Sequence, residues 1–336
     1  MTTRSRRDPH TLADAMLAGD DRVALARLIT VVENRMADSA SVMSRVYKKC
    51  GHAFTLGITG PPGAGKSTIT SGLIGHCRAR GLTVGVIAID PSSPFSGGSV
   101  LGDRIRMQKH FLDEGVFIRS LSTRGSHGGL TRAGRDIVRL MDAAGKDVII
   151  IETVGVGQTE LDIMEVADTV VVVLVPEAGD TVQVMKAGLL EIADVFVVNK
   201  ADRDGAIKMR TELEMMLSLK SVEETAAAST WRTPVLMTKA SMGEGIEEVL
   251  DASLRHRDFR KENPQRERIA RRLRAEVMEI CEEEVMRRLV ASVKGSSVAT
   301  ILERVGEGTE DPYNAALEIL SDRDKLATIL SAKGDD

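Results

Sequence analysis

The chain has 336 residues, 43% of them hydrophobic, 28% charged and 3% aromatic, with a formal net charge of −4. That is the composition of a folded globular protein, not a disordered one. It lacks the basic surface and the stacking aromatics that nucleic-acid binders use, and no run of about 18 apolar residues is present to span a membrane. At about 150 residues per domain the length suits two domains, or one large α/β domain with added helices. Cys50, Cys77 and Cys281 lie far apart, form neither a disulfide framework nor a zinc spacing, and fit a reducing cytosol. Arg4, Arg6 and Arg7 lead into Asp8-Pro9 with no apolar h-region, so no secretory signal is expected and the expected compartment is the cytoplasm.

Residues 11–48 read as helical, with Leu12, Ala15 and Met16 on one face and Val23, Leu25, Leu28, Ile29 and Val32 on a second helix capped by Asp20 or Asp21. From residue 54, β-rich runs at 54–59, 84–89, 116–119, 147–152, 169–175, 195–198 and 235–237 alternate with helical stretches. Several are apolar throughout, as parallel strands covered on both faces are. The expected fold class is α/β, a mostly parallel doubly wound sheet of the P-loop NTPase kind. Beyond residue 255 the composition turns basic. Ile269, Leu273, Val277, Ile280, Val285 and Leu289 then recur at helical spacing, and a last helix follows Asp311-Pro312. The expected division is a helical arm at 1–52, a nucleotide domain at 53–255 and a helical extension at 256–336.

Gly60-Pro61-Pro62-Gly63-Ala64-Gly65-Lys66-Ser67 matches G-x-x-x-x-G-K-[ST] between a strand and a helix that opens at Thr68. Glycines let backbone N–H groups turn toward phosphate oxygens, and the helix N-terminus adds its positive end. Lys66 reaches the β- and γ-phosphates, and the Ser67 hydroxyl ligates Mg²⁺. Asn199-Lys200-Ala201-Asp202 after the strand at 195–198 is N-K-x-D. The Asp202 carboxylate accepts from guanine N1–H and the exocyclic amine, a donor pair that adenine lacks. Lys200 lies along the base, and Asn199 ties the two loops. Thr238-Lys239-Ala240 is a third candidate contact with the base, although a plain strand-to-helix turn fits the same residues.

Asp90, Asp103 and Glu152 are the candidate metal and hydrolysis carboxylates. Asp90 and Glu152 close strands whose carboxyl ends face the ligand crevice. Asp103 follows the Gly-rich loop 92–102, where a helix cap is the alternative. Gly155 offers a bare N–H to a γ-phosphate, and Gln158 invites comparison with a water-orienting glutamine. Arg104, Arg119 and Arg124 are candidate arginine fingers, with surface arginine as the default. From the residues alone Asp180 is a helix cap and Lys186 a solvated charge.

Taken with Asp90-Pro91-Ser92-Ser93, Gly97-Gly98-Ser99, Gly102-Asp103, Gly128-Gly129-Leu130-Thr131-Arg132 and Glu152-Thr153-Val154-Gly155-Val156-Gly157-Gln158, these motifs resemble those of the MeaB-like (ArgK-type) GTPases over about residues 10–255. The resemblance implies a GTPase with Mg²⁺ and bound GTP or GDP. It implies a role as chaperone of an adenosylcobalamin-dependent acyl-CoA mutase, methylmalonyl-CoA mutase by default, gating cofactor loading and protecting the enzyme from inactivation. It further implies a homodimer joined through the C-terminal helices. Slow intrinsic hydrolysis is expected because no glutamine or arginine is clearly positioned, with acceleration when a mutase docks. Family roles carry to Lys66, Ser67, Asp90, Asp103 and Glu152 for phosphate, metal and hydrolysis, and to Asn199, Lys200 and Asp202 for the base. Residues 177–188, with Asp180 and Lys186, take the role of partner coupling. Two residues depart from the family pattern: Ala187 stands where many relatives have a second lysine, and Lys239 where they have a small residue. The rival readings are a nickel-insertion GTPase, for which the six histidines are too scattered, and a P-loop kinase, which requires ATP preference.

Overall fold

The computed structural model describes residues 8–19, 21–36, 38–91, 107–123, 129–153, 163–176, 188–223, 230–264, 266–292 and 297–331. They fall into two compact units, residues 1–264 and 265–336.

Seven strands make the first unit's sheet: β1 (Phe54–Thr59), β2 (Val84–Pro91), β3 (Val116–Thr123), β4 (Val148–Thr153), β5 (Thr169–Leu174), β6 (Val195–Asn199) and β7 (Val235–Thr238). Their order is β3-β2-β4-β1-β5-β6-β7, and every neighbouring pair is parallel. All residues of β1, β4, β5 and β6 are buried, which is why those segments read as unbroken apolar runs. β2 and β3 run past their predicted ends. They pair rung by rung from Val84↔Val116 to Pro91↔Thr123, and the polar Ser120, Ser122 and Thr123 hide that continuation from a reading of hydrophobicity.

Helices cover both faces. On one, α4 (Lys66–Ala79) and a later helix, Ile246–Glu262, bury Ile69, Leu73, Val249 and Leu250 against Leu56, Ile58 and Val171. That helix runs unbroken through residue 255. On the other face, Ile137 and Leu140 of α5 (Gly129–Ala143) and Met209 and Leu213 of α6 (Ala206–Glu223) join Ile149, Ile151 and Val172. The helix Ile246–Glu262 is α7.

The N-terminal stretch divides into three helices: α1 (Pro9–Ala18), α2 (Arg22–Glu33) and α3 (Ser39–Tyr47). They share the α5 core through Leu12, Leu25, Leu28, Ile29 and Val42. Asp21 caps α2 by accepting from the N–H groups of Val23 (3.0 Å) and Ala24 (2.9 Å). The Asp142 carboxylate at the end of α5 accepts from three successive N–H groups, those of Gly51 (2.5 Å), His52 (3.2 Å) and Ala53 (2.9 Å), and so fixes the chain as it enters β1.

At the amino edge of the sheet the buried His256 of α7 pairs through Nδ1 with the Thr169 hydroxyl (2.8 Å) and through Nε2 with Asp194 (3.3 Å). Trp231 packs on its ring at 4.8 Å and donates its indole N–H to the Asp194 carbonyl at 2.8 Å. His256→Ala leaves a cavity and an unpaired Thr169 hydroxyl in this corner. The expected loss is about 2–4 kcal/mol in urea unfolding, with a shifted emission of Trp231, the sole tryptophan. An unchanged midpoint would show that the cluster does not hold α7.

Burial pushes the thiols of Cys50 and Cys77 up to about 11, with Asp142 adding to the effect at Cys50. At pH 8 each is then only about 0.1% thiolate. Cys281 is exposed. Native protein is expected to give up one equivalent of thiol to a disulfide reagent quickly, and all three only after denaturation. A fast count of two would place a second thiol within reach of solvent.

The second unit holds α8 (Arg266–Ser292), α9 (Ser297–Gly306), α10 (Pro312–Ser321) and α11 (Arg323–Ser331). Its own core is small, with Val298, Ile301, Ala315, Ile319 and Ile329 buried. Asp311 caps α10, accepting from Tyr313 N–H (2.9 Å) and Asn314 N–H (3.0 Å), with Pro312 in the first helical position. Ile269, Leu273, Val277, Ile280 and Val285 of α8 are exposed. No described helix is long and apolar enough to cross a membrane.

Candidate nucleotide site

β1 delivers the chain into a loop whose shape only glycine permits. Gly60 has φ +136°, and a Cβ there would lie 2.0 Å from the Val173 carbonyl oxygen of β5. Gly65 has φ +89°, and its Cβ would meet Asn199 Nδ2 at 2.3 Å. Between them Pro61, Pro62, Gly63 and Ala64 form the crest. α4 then starts at Lys66, so its N-terminal dipole end opens on the loop, with Thr68 in the first turn.

Lys66 and Ser67 are both buried. The Lys66 ammonium donates to the carbonyls of Gly60 (2.6 Å) and Pro61 (3.0 Å), lying back along the loop. The Ser67 hydroxyl donates to Glu152 Oε1 at 2.5 Å. Glu152 is 1% exposed, because β4 lies between β1 and β2 and carries it in register with Ile58 and Ala88. A buried hydroxyl and a carboxylate oxygen in contact are hard donors of the kind Mg²⁺ takes, so this pair fits the ion. Asp90 stands at the carboxyl tip of β2, in register with Ser122 of β3. Asp103, Gly155, Gln158, Asp180 and Lys186 lie outside the described residues, as do Arg104 and Arg124.

Asn199 closes β6 and joins three segments. Its Nδ2 donates to the Ala64 carbonyl of the phosphate loop at 2.8 Å. Its Oδ1 accepts from the Thr238 hydroxyl (2.9 Å) and from Ala240 N–H (3.1 Å). Lys200 turns the chain with φ +57°, an uncommon conformation for a residue with a side chain, found where surrounding structure imposes it. Ala201 N–H then donates to the Thr238 carbonyl at 3.0 Å, and Asp202 stands exposed on the next residue. Lys239 pairs with Glu244 at 2.7 Å. The structure therefore gathers Gly60–Thr68, Glu152, Asn199–Asp202 and Thr238–Ala240 at the carboxyl edge of one sheet.

Arg119 is excluded as an arginine finger by its place. It sits in mid-strand on β3 and is bonded to Glu33 and to the Thr30 hydroxyl of α2. One pairing was not foreseen from the sequence. The Thr153 hydroxyl at the end of β4 donates to the Thr59 hydroxyl at the end of β1, at 2.9 Å and with both residues fully buried. Two threonines closing strand-like runs are the visible signal, but only the β1–β4 register makes them neighbours.

Comparison with known proteins agrees with this arrangement. Residues 25–294 match the family model described as Methylmalonyl Co-A mutase-associated GTPase MeaB. A Pyrococcus abyssi protein carrying a GTPase name is 49% identical over 312 residues, covering 93% of this chain and 95% of its own. GTPase ArgK of Escherichia coli is 38% identical over 248 residues, 72% of this chain and 75% of its own. A crystal structure titled LAO/AO transport system kinase superposes with a TM-score of 0.63 at 26% identity, covering 94% of this chain and 99% of that one. With its matched phosphate and base loops on an all-parallel sheet, the chain belongs to the MeaB family of P-loop GTPases.

Proposed function

We propose that this protein is a GTP-hydrolysing chaperone of an adenosylcobalamin-dependent acyl-CoA mutase, methylmalonyl-CoA mutase by default. The observation that carries the nucleotide reading is Asn199, whose one side chain joins the phosphate loop to the base loop. The family's description supports the mutase as partner.

In this reading the loop amides and the α4 N-terminus hold the phosphates, and the Lys66 ammonium turns from its two carbonyls to the β,γ-oxygens. Asp202 accepts from the guanine edge, with Lys200 along the base and Ala240 near its carbonyl. Ser67 and Glu152, with Asp90 and Asp103, would hold Mg²⁺, which when bound neutralises phosphate charge. Water attacks the γ-phosphorus as its bond to the bridging oxygen breaks, giving GDP and phosphate. Lys66 stabilises the charge that builds on the oxygens. Loss of the γ-phosphate removes the contact at Gly155. The segments after β2 and β4 then relax, and the mutase reads the change there and through Asp180 and Lys186.

Intrinsic hydrolysis is slow in this account, and a docked mutase speeds it. The exposed apolar residues of α8 support a homodimer formed through the second unit. The compartment in this reading is the cytoplasm. The test is capture of purified candidate mutases on the immobilised protein loaded with GDP or with a non-hydrolysable GTP analogue, alongside phosphate release. Nucleotide-dependent capture of one mutase and faster turnover in its presence are expected. Turnover that is fast alone and unmoved by every mutase would overturn the chaperone role.

A further inference from the structure

The carboxyl ends of β2, β4, β1 and β5 lie side by side, and their registers set Ile89, Thr153, Thr59 and Val172 in one row across the four strands. Ile89 and Val172 belong to the apolar core on the α5 side. Glu152 is in register with Ile58, whose side chain joins the core on the α4 side, so Glu152 and Thr153 face opposite ways. The Thr153 hydroxyl donates to the Thr59 hydroxyl at 2.9 Å, both residues are fully buried, and among the described residues neither hydroxyl has another partner. Hydroxyls set in an apolar row carry a desolvation cost that two more valines would avoid. What they supply is direction. The main-chain pairing of β1 with β4 ends at Ile58↔Glu152. One position further on, Thr153 is held to β2 opposite Ile89 and Thr59 to β5 opposite Val172, and it is the hydroxyl bond that crosses between β1 and β4. That seam separates Glu152 from the loop that leads to Ser67.

We propose that Thr59 and Thr153 are positioning residues for Mg²⁺: their hydroxyl bond fixes the width of the β1–β4 seam and so keeps Glu152 and Ser67 at the separation one ion requires. The proposal rests on Ser67 and Glu152 being the metal-holding pair. Mg²⁺ demands near-ideal octahedral geometry with bonds of about 2.0–2.1 Å, whereas Ca²⁺ accepts longer and less regular ones of about 2.3–2.6 Å. A seam free to drift slightly therefore penalises Mg²⁺ first. Two valines would fill the same space, but contact between methyl groups is non-directional and sets the separation less closely than an O–H···O bond.

The test titrates Mg²⁺ or Ca²⁺ into protein with the β,γ-imido analogue of GTP and reads the metal-dependent gain in analogue binding by calorimetry, alongside thermal melting. Thr59→Val or Thr153→Val alone leaves one buried hydroxyl unpaired and melts below wild type. With both changed no hydroxyl is stranded, and melting returns close to wild type. Mg²⁺ affinity is expected not to return. It falls about tenfold in the double variant, the low end for loss of a group that orients a metal ligand, with a smaller fall for Ca²⁺ and unchanged analogue binding in EDTA. Thr153→Ser, which keeps the hydroxyl, retains most of the Mg²⁺ affinity that Thr153→Val loses, and this pair decides the matter if the double variant folds poorly. A purely structural role predicts that Mg²⁺ affinity recovers together with melting in the double variant. That recovery, or an equal fall for the two ions, would overturn the proposal. Glu152→Gln separates the two failures. If it loses Mg²⁺ affinity while the double variant keeps it, the threonines alone are misassigned. If it takes up Mg²⁺ like wild type, the metal reading itself falls.

Discussion

Asp202→Asn will exchange guanine for xanthine. In the proposed site the carboxylate offers two acceptors to the donors at N1 and the exocyclic amine, and an asparagine turns one of them into a donor facing a donor. Losing one bond to a charged group and burying another donor unpaired is expected to weaken GDP by at least about 100-fold. Xanthine carries a carbonyl where guanine has its amine, so the new N–H₂ regains a partner and XDP binding rises. Asp202 is exposed in the loop, so the fold survives and the change is one of preference. Calorimetry with GDP, XDP and ADP reads it directly. Equal binding of ADP by the wild-type chain would instead favour a kinase-like use of the same fold.

Lys66→Ala is expected to lower kcat for GTP by about 10²–10³-fold, the cost of removing one preorganised donor from a transition state in which charge is building. The same change barely harms the fold. The buried ammonium donates to two carbonyls of its own loop, at 2.6 and 3.0 Å, and a removed charge takes its desolvation cost with it. Thermal melting without nucleotide should shift by only a few degrees, while the rise produced by adding GTP, which reflects binding to the native state, should largely vanish. A variant that melts far below wild type yet is still stabilised by GTP would make Lys66 a structural residue of the loop.

The strands β1, β4, β5 and β6 were legible because a strand covered on both faces has no alternation to blur it. Val148–Ile151 and Thr169–Val173 are runs of β-branched side chains that few other environments call for. The phosphate and base loops were legible for a different reason, since each is a contiguous motif whose residues act within a few positions of one another. Where contacts depend on register, the residues alone were silent. Ser67 and Glu152 are 85 positions apart and meet only because β4 lies beside β1. Thr59 and Thr153 meet for the same cause. The third N-terminal helix buries only Val42 and Val46, too few apolar positions to mark its own period. Arg119 shows the converse: its charge suggested chemistry, but its place in the middle of an edge strand gives it to Glu33.

The position of β1 also bears on how the chain is made. Its two neighbours in the sheet, β4 and β5, begin 94 and 115 residues later in the sequence. At roughly 5–20 residues per second, the growing chain spends on the order of ten seconds with this strand's main-chain groups unclaimed by either flank. The ribosome must therefore add the chain through β5 before the strand that leads into the phosphate loop is paired on both flanks, and β5 and β6 are flanked on both sides later still, once β6 and β7 have followed.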